Sequence, residues 1–101
     1  MKIEPFSIYW ADVPYEDIPE SKVRPVTILE DSVILVNILP ITSNTSRPEN
    51  YVLKYWKEAG LKKPSAVQLQ YVVEIETDRI GKRIGRLHPI DIIEITQRIG
   101  K

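Results

Sequence analysis

Two apolar runs in the first half of the chain mark its expected centre. Residues 26–30 and 32–39 are almost continuously apolar. The two runs meet at the polar residues Glu30, Asp31 and Ser32. Runs of this kind are typical of strands that are covered on both faces. The polar step between them favours a hairpin turn. The pattern therefore predicts an antiparallel pair of central strands.

Shorter stretches on either side of that pair also have strand or turn signatures. Residues 7–13 are rich in β-formers and are followed by Pro14, which predicts a first strand that ends in an exposed loop over 14–22. A second, polar loop is expected over 42–50. The remaining predictions are a short strand over 51–55, one helical turn over 56–61 that Gly60 stops, and one long strand over 66–77.

A helical period occurs only in the last segment of the chain. Ile92, Ile95 and Ile99 recur at spacings of three and four residues, which places them on one face of a helix. Pro89 suits the first helical position, and Asp91 complements the positive end of the helix dipole. About five strands and this terminal helix predict a mostly β (α+β) fold, built as a small bent sheet or a partly open barrel.

Length and composition limit the classes that the chain can belong to. The 101 residues suffice for a single domain spanning 1–101. Lysine plus arginine equals aspartate plus glutamate at 14 each, so the total charge does not support a uniformly basic surface for nucleic acid. The absence of cysteine excludes thiolate chemistry, and no apolar run approaches the roughly 20 residues of a membrane helix. We therefore expect a cytoplasmic protein without a membrane contact.

Two groups at the ends of the central strands could hold a phosphodiester. Arg24 precedes the first run, and Thr42 with Ser43 follows the second. A guanidinium offers two parallel charged donors to phosphate oxygens, and a hydroxyl adds a further donor. With one histidine and no cysteine, the sequence defines no metal-ligand set. The alternative interpretation is that Arg24 is a solvated cation and that Thr42 and Ser43 form an ordinary turn.

Five motifs in a fixed order carry a family resemblance from about Ser7 to Ile99. By them the chain resembles the PemK/MazF-type toxins of bacterial toxin–antitoxin systems. The motifs are Ile8-Tyr9-Trp10-Ala11, Lys22-Val23-Arg24-Pro25, Pro40-Ile41-Thr42-Ser43, Trp56 with Ala59-Gly60-Leu61 and Pro64-Ser65, and Ile84-Gly85-Arg86-Leu87.

The resemblance implies a bent SH3-like β-barrel of about five to seven strands with a C-terminal helix, usually as a homodimer. It also implies an endoribonuclease that cuts single-stranded RNA without metal or cofactor, through attack of the 2′-hydroxyl. In that family, residues at the positions of Arg24 and Thr42 act on the scissile phosphate, and an antitoxin peptide blocks the groove. The expected RNA-binding residues are Lys22, Ser43, Asn44, Arg47, Gln70 and Tyr15.

Other residues have roles that the sequence leaves open. His88 precedes the predicted helix and is expected to cap it rather than act as a general base, which stays unassigned. Trp10 and Trp56 are expected in the core, and Tyr15 is the better candidate for stacking on a base. The basic segment 79–86 either contacts RNA or forms a solvated turn from which Ile80, Ile84 and Leu87 pack inward, and we expect the solvated turn.

Two rival functions remain at the level of the sequence. The acidic residues Glu16, Asp17 and Glu20 precede Arg24, and Gln70 is followed by Tyr71-Val72-Val73 where many family members have a basic residue. Both departures from the family pattern are expected to affect RNA affinity or sequence preference. One rival is a non-catalytic module of the same barrel that engages a protein, such as a topoisomerase, or RNA without cutting. The other is a silent structural or regulatory domain.

Overall fold

A computed structural model of the chain describes residues 3–14, 21–31 and 34–99. They form an antiparallel seven-stranded sheet and a C-terminal helix, so the predicted mostly β class is confirmed. In chain order the elements are β1 (Ser7–Pro14), β2 (Ser21–Asp31), β3 (Leu35–Thr42), β4 (Tyr51–Val52), β5 (Ala66–Val67), β6 (Val73–Glu76), a 3₁₀ turn (Thr77–Arg79), β7 (Ile80–Arg86) and α1 (Pro89–Ile99).

The hairpin of β2 and β3 lies at the centre of the sheet, as predicted. The strand order is β4-β5-β3-β2-β1-β7, and β6 pairs with the other end of β3. Val26 lies opposite Pro40 and Ile28 lies opposite Ile38. Among the described residues no ladder joins β4 to β7, so the sheet is bent but not closed.

Apolar side chains cover both faces of the central hairpin, which confirms the interpretation of its two apolar runs. On β3, Val36 and Ile38 pack into one cluster, whereas Leu39 and Ile41 pack into the other. This division follows from the alternation of side chains along a strand. The first cluster includes Tyr9, Ala11, Val13, Val26, Ile28, Ile75 and Ile80, and the second includes Ile8, Tyr51, Leu53, Leu61, Val67, Leu87 and Ile95.

Helix α1 lies where its period predicts, and His88 caps it. The backbone N–H of Ile90 donates to His88 Nδ1 at 3.1 Å, which satisfies a donor of the first turn. Ile95 is fully buried, and Ile92 packs against the second cluster, whereas Ile99 is exposed. The described part of the chain contains no helix with the length and apolar content that crossing a bilayer requires.

Asp91 has a larger role than the dipole interaction that the sequence suggested. Its side chain is fully buried and accepts hydrogen bonds from Tyr51 Oη at 2.6 Å, Lys54 N at 3.1 Å and Tyr55 N at 3.0 Å. The predicted strand over 51–55 is therefore wrong beyond Val52. The N–H groups that would extend it bind a carboxylate instead.

The helical turn predicted over 56–61 is present as one turn of hydrogen bonds. Leu61 N donates to Trp56 O and Gly60 N donates to Lys57 O, each at 3.1 Å, which is the Schellman pattern. Gly60 occupies the left-handed position at φ 98°, so the predicted stop is confirmed. A β-carbon there would lie 2.8 Å from Ile84 O, which brings this turn directly onto β7.

The single long strand predicted over 66–77 is wrong, because two strands occupy that range. Val67 lies opposite Ile41, whereas Val73 lies opposite Ile38, so six steps along this segment span only three along β3. The surplus residues form a turn in which Tyr71 N donates to Gln68 O at 3.1 Å. Gln68 stands at the start of this turn, and its N–H still donates to Pro40 O of β3 at 2.9 Å.

The prediction of a solvated turn over 79–86 is also wrong, since most of that range is strand β7. It pairs with β1, with Tyr9 opposite Arg83 and Ser7 opposite Arg86. Ile80 is buried as expected and Ile84 is half-buried. Two glycines and four cations hide the strand pattern, because they interrupt the apolar alternation.

Candidate active site

Arg24 and Thr42 lie at adjoining ends of the two central strands. The last pair of the β2–β3 ladder is Val26 opposite Pro40, and Arg24 and Thr42 each lie two residues beyond that pair. Because side chains alternate along a strand, Arg24 shares a face with Val26, and Thr42 shares that same face with Pro40. The two candidate residues therefore start from neighbouring positions on one face.

Both residues line one open hollow of about 280 Å³, called here the Arg24 hollow. Two of the expected RNA-binding residues, Lys22 and Ser43, line it as well. No carboxylate of the described residues lines it, so its charged groups there are all cationic. Its other lining residues are Trp10, Val23, Pro25, Ile41, Lys63 and Ser65.

The guanidinium of Arg24 has a partner on the neighbouring turn. Nη1 donates to Gln68 Oε1 at 3.3 Å in a half-buried setting. Gln68 is itself held, since its backbone N–H donates to Pro40 O at 2.9 Å. A neutral amide orients the guanidinium without cancelling its charge, so the charge remains available to an anion.

Thr42 is oriented by the backbone that follows it. The Asn44 N–H donates to Thr42 Oγ1 at 3.1 Å. The hydroxyl oxygen acts as the acceptor in this bond, so the hydroxyl proton is left to donate elsewhere. Thr42 can therefore donate to a phosphate oxygen in the hollow.

Three other expected RNA-binding residues, Asn44, Arg47 and Gln70, gather around Asn50 instead of lining the hollow. Asn50 donates from Nδ2 to Asn44 O at 3.4 Å and from its backbone N–H to Arg47 O at 3.2 Å. Gln70 Nε2 donates to Asn50 Oδ1 at 3.2 Å. The Arg47 side chain is exposed and lies 3.6 Å from the Glu49 carboxylate. Asn44 and Arg47 belong to the loop that follows Ser43, and Gln70 contacts this loop from the turn between β5 and β6.

Tyr15, the remaining RNA-binding candidate, lies outside the described residues, as do the acids Glu16, Asp17 and Glu20. His88 is described and does not line the hollow. Its ring stacks on Tyr55 with centroids 4.0 Å apart, beside the cap that it forms for α1.

The prediction that Trp10 packs in the core is wrong, because its side chain is 42% exposed and lines the hollow. Its neighbours Tyr9 and Ala11 take the inward positions of β1, so alternation turns Trp10 to the other face. Trp56 does pack against the second cluster, as predicted.

Sequence reasoning missed two residues of the site. Lys63 lines the hollow, and the sequence does signal it by placing two lysines just before Pro64 and Ser65. Gln68 could not be found this way, because its contact with Arg24 depends on how the segment after Ser65 pairs with β3.

Comparison with known proteins agrees with this fold and its motifs. A family described as "PemK-like, MazF-like toxin of type II toxin-antitoxin system" matches residues 4–101. The solved structure of the Mycobacterium tuberculosis toxin MazF-mt6 is similar, with a TM-score of 0.71 at 24% sequence identity over 93% of this chain and 92% of that one. A comparison with curated proteins finds no significant match. The family match covers nearly the whole chain, and the chain therefore belongs to the PemK-like, MazF-like toxins of type II toxin–antitoxin systems.

Proposed function

We propose that this toxin is an endoribonuclease that cuts single-stranded RNA without a metal ion, with Arg24 and Thr42 acting on the scissile phosphate. The observation that carries the proposal is the Arg24 hollow. Its lining includes Arg24, two lysines, Thr42 and two serines, and no carboxylate of the described residues lines it. This set of groups suits a phosphodiester anion.

The proposed reaction is an internal transfer within the RNA. The 2′-oxygen forms a bond to phosphorus while the bond from phosphorus to the 5′-oxygen breaks, which gives a 2′,3′-cyclic phosphate and a 5′-hydroxyl end. A base takes the proton of the 2′-hydroxyl and an acid supplies one to the 5′-oxygen. We assign neither of these two groups to a residue.

Arg24 would act by stabilising charge. Negative charge accumulates on the nonbridging phosphate oxygens as the transfer proceeds, and a fixed guanidinium offers them two parallel donors. The bond to Gln68 limits the orientations of that group before the substrate arrives. The fold therefore restricts the guanidinium before RNA binds, which reduces the conformational entropy lost on binding.

Thr42 would hold the phosphate in line for the attack. Its hydroxyl donates a hydrogen bond and does not serve as a base, because an alcohol is not ionised near neutral pH. Lys22, Lys63 and Ser43 would contact the same or neighbouring phosphates. Asn44, Arg47, Gln70 and Tyr15 would extend the RNA contact beyond the hollow, and the cognate antitoxin peptide would cover this surface.

We also propose that the toxin acts as a homodimer. Ile90 and Ile93 are 42% and 56% exposed on helix α1, three residues apart and thus on one face. A second copy would bury this apolar face. Light scattering on the purified toxin would show twice the mass of the chain, and a single-chain mass at high concentration would contradict this part of the proposal.

A cleavage assay with chelator present tests the nuclease. We expect the protein to cut single-stranded RNA with EDTA, and Arg24→Ala to lower kcat by about 100-fold or more, as loss of a donor to a developing anion does. Arg86→Ala is the matched control, because that arginine is exposed on β7 outside the hollow. Circular dichroism checks that each variant is folded.

The ends of the products test the chemistry separately. A 2′,3′-cyclic phosphate should be detected by mass spectrometry, and RNA with a 2′-deoxy sugar at the cut should survive. Unchanged cutting by folded Arg24→Ala would refute the assignment of the site. Arrest of bacterial growth with all RNA intact would refute the nuclease and favour a protein target.

A further inference from the structure

Another cavity adjoins the Arg24 hollow. It has a volume of about 470 Å³, and we call it the tryptophan groove. It shares Trp10, Pro25, Lys63 and Ser65 with the hollow, so the two spaces lie side by side. Its remaining lining residues are Gly60, Leu61, Lys62, Lys82, Arg83 and Ile84.

Two glycines bring the walls of this groove together. A β-carbon on Gly85 would overlap the carbonyl oxygen of Ala59, and one on Gly60 would lie 2.8 Å from the oxygen of Ile84. The turn at 59–60 therefore rests directly on the backbone of β7. The chain that follows this turn carries Lys62 and Lys63 to the edge of the groove.

Another part of the groove's lining comes from β7, which pairs irregularly with β1. Ile8 lies opposite Gly85, Tyr9 opposite Arg83 and Ala11 opposite Ile80, with a register shift in each interval. Such bulges re-aim the side chains around them. The consecutive residues 82–84 of this irregular stretch all line the groove.

Charge and aromatic surface coincide here. The groove is lined by four cations, namely Lys62, Lys63, Lys82 and Arg83, and no acid among the described residues lines it. The chain as a whole has a net charge of zero, so this concentration of one sign is local. Trp10, whose side chain is 42% exposed, lines the same groove as these cations.

We propose that the tryptophan groove binds one unpaired nucleotide of the RNA, with its base stacked on Trp10 and its phosphate contacted by Lys82 and Arg83. An indole gives a base-sized apolar platform, and cations beside it suit the phosphate of the same nucleotide. Because the groove shares lining residues with the Arg24 hollow, this nucleotide would lie next to the scissile phosphate. The inference rests on the proposed function for its choice of RNA.

A binding experiment tests stacking apart from cleavage. In Trp56→Phe, Trp10 is the only tryptophan, so indole fluorescence reports on the groove alone. The probe is a short single-stranded RNA of mixed sequence with 2′-fluoro sugars, which lack the attacking hydroxyl. Inorganic polyphosphate serves as a polyanion without bases. We expect the RNA to quench Trp10 to saturation and polyphosphate to bind without comparable quenching.

Variants separate the base from the phosphate. Trp10→Ala should weaken RNA binding by about 5- to 100-fold, in line with loss of one stacked base, and should leave polyphosphate binding unchanged. Trp10→Phe should recover most of the affinity. Lys82→Ala should weaken both ligands and reduce the salt dependence of RNA binding by about 0.7 in log–log slope, the value for one phosphate of a single strand. Lys57→Ala, an exposed lysine outside the groove, should change neither.

The outcomes distinguish this inference from the nuclease proposal. Saturable quenching together with intact RNA in the cleavage assay would refute the nuclease proposal and support RNA binding in the tryptophan groove. A second outcome is cleavage that depends on Arg24, without quenching and with Trp10→Ala binding RNA as tightly as the parent protein. This outcome would refute RNA binding in the tryptophan groove and support the nuclease proposal. Quenching by an acidic peptide but not by RNA would also overturn it.

Discussion

Arg24 Nη1 donates a hydrogen bond to Gln68 Oε1 across 3.3 Å, between residues that are 44 positions apart in the chain. Gln68 begins the turn that interrupts the pairing of the 66–76 segment with β3. The Gln68 backbone N–H donates to Pro40 O, so β3 holds in place the residue whose amide orients the candidate catalytic arginine.

Replacement of Gln68 tests whether this bond orients Arg24 for the reaction. Gln68→Leu removes the acceptor at similar volume, and we expect kcat on single-stranded RNA to fall about 5- to 30-fold, since bonds to charged groups contribute about 1–2 kcal/mol when half-buried. Gln68→Glu should instead raise KM, because a carboxylate competes with phosphate for the guanidinium.

The control for these variants is the melting temperature of each protein. If Gln68→Leu lowered the melting temperature and left kcat and KM as they are, Gln68 would have a structural role only.

Asp91 ties helix α1 to the segment after β4, and its loss should destabilise the fold. Asp91→Ala leaves the Tyr51 hydroxyl and the N–H groups of Lys54 and Tyr55 without their buried acceptor. We expect the free energy of unfolding to drop by about 2–4 kcal/mol. Urea denaturation measures this change, with exposed Glu58→Ala as the control expected within about 0.5 kcal/mol. Equal stability of the two variants would contradict the assignment.

The parts of the fold that the sequence predicted are those where a single pattern dominates. The hairpin of β2 and β3 follows from apolar runs, and α1 follows from the spacing of its isoleucines. Strand β7 was missed because its bulges remove the period on which prediction depends, and its glycines serve contacts with the 59–60 turn that only the folded chain reveals.

The candidate site was predictable where it lies at strand ends. Arg24 and Thr42 were found because each flanks an apolar run, and their shared face follows from the register of β2 and β3. Trp10 was misjudged because a large aromatic in a small β-protein is usually buried, and the face it takes depends on which neighbours point inward. Gln68 had no signal at all, since its position depends on a pairing shift.

Tyr51 should make the stability of the fold depend on alkaline pH. Burial, followed by the bond to Asp91, raises its pKa well above the ordinary value near 10. Below that ordinary value the phenol is neutral in both the folded and the unfolded state. Above it, only the unfolded state releases the proton, so the free energy of unfolding falls as pH rises.

The measurement is urea denaturation from about pH 8 to about pH 11 for the wild type and Tyr51→Phe. Other tyrosines and the lysines titrate in both proteins, so the difference between the two curves isolates Tyr51. Tyr51→Phe should be less stable at pH 8 and should lose less stability on going to pH 11. Parallel curves would show that Tyr51 titrates normally.

Gly85 should be intolerant of any side chain, because β7 and the 59–60 turn meet at this residue. Gly85→Ala places a methyl group against the carbonyl of Ala59, and backbone atoms cannot move aside as a flexible side chain would. We expect a loss of about 1–3 kcal/mol in the free energy of unfolding, the usual range for overpacking. Gln97→Ala, exposed on α1, is the control expected near zero.

If the turn moves to relieve the clash, Lys62 and Lys63 move with it, so Gly85→Ala should also weaken the binding of single-stranded RNA. Wild-type stability together with wild-type RNA affinity in Gly85→Ala would contradict the close contact that shapes the tryptophan groove.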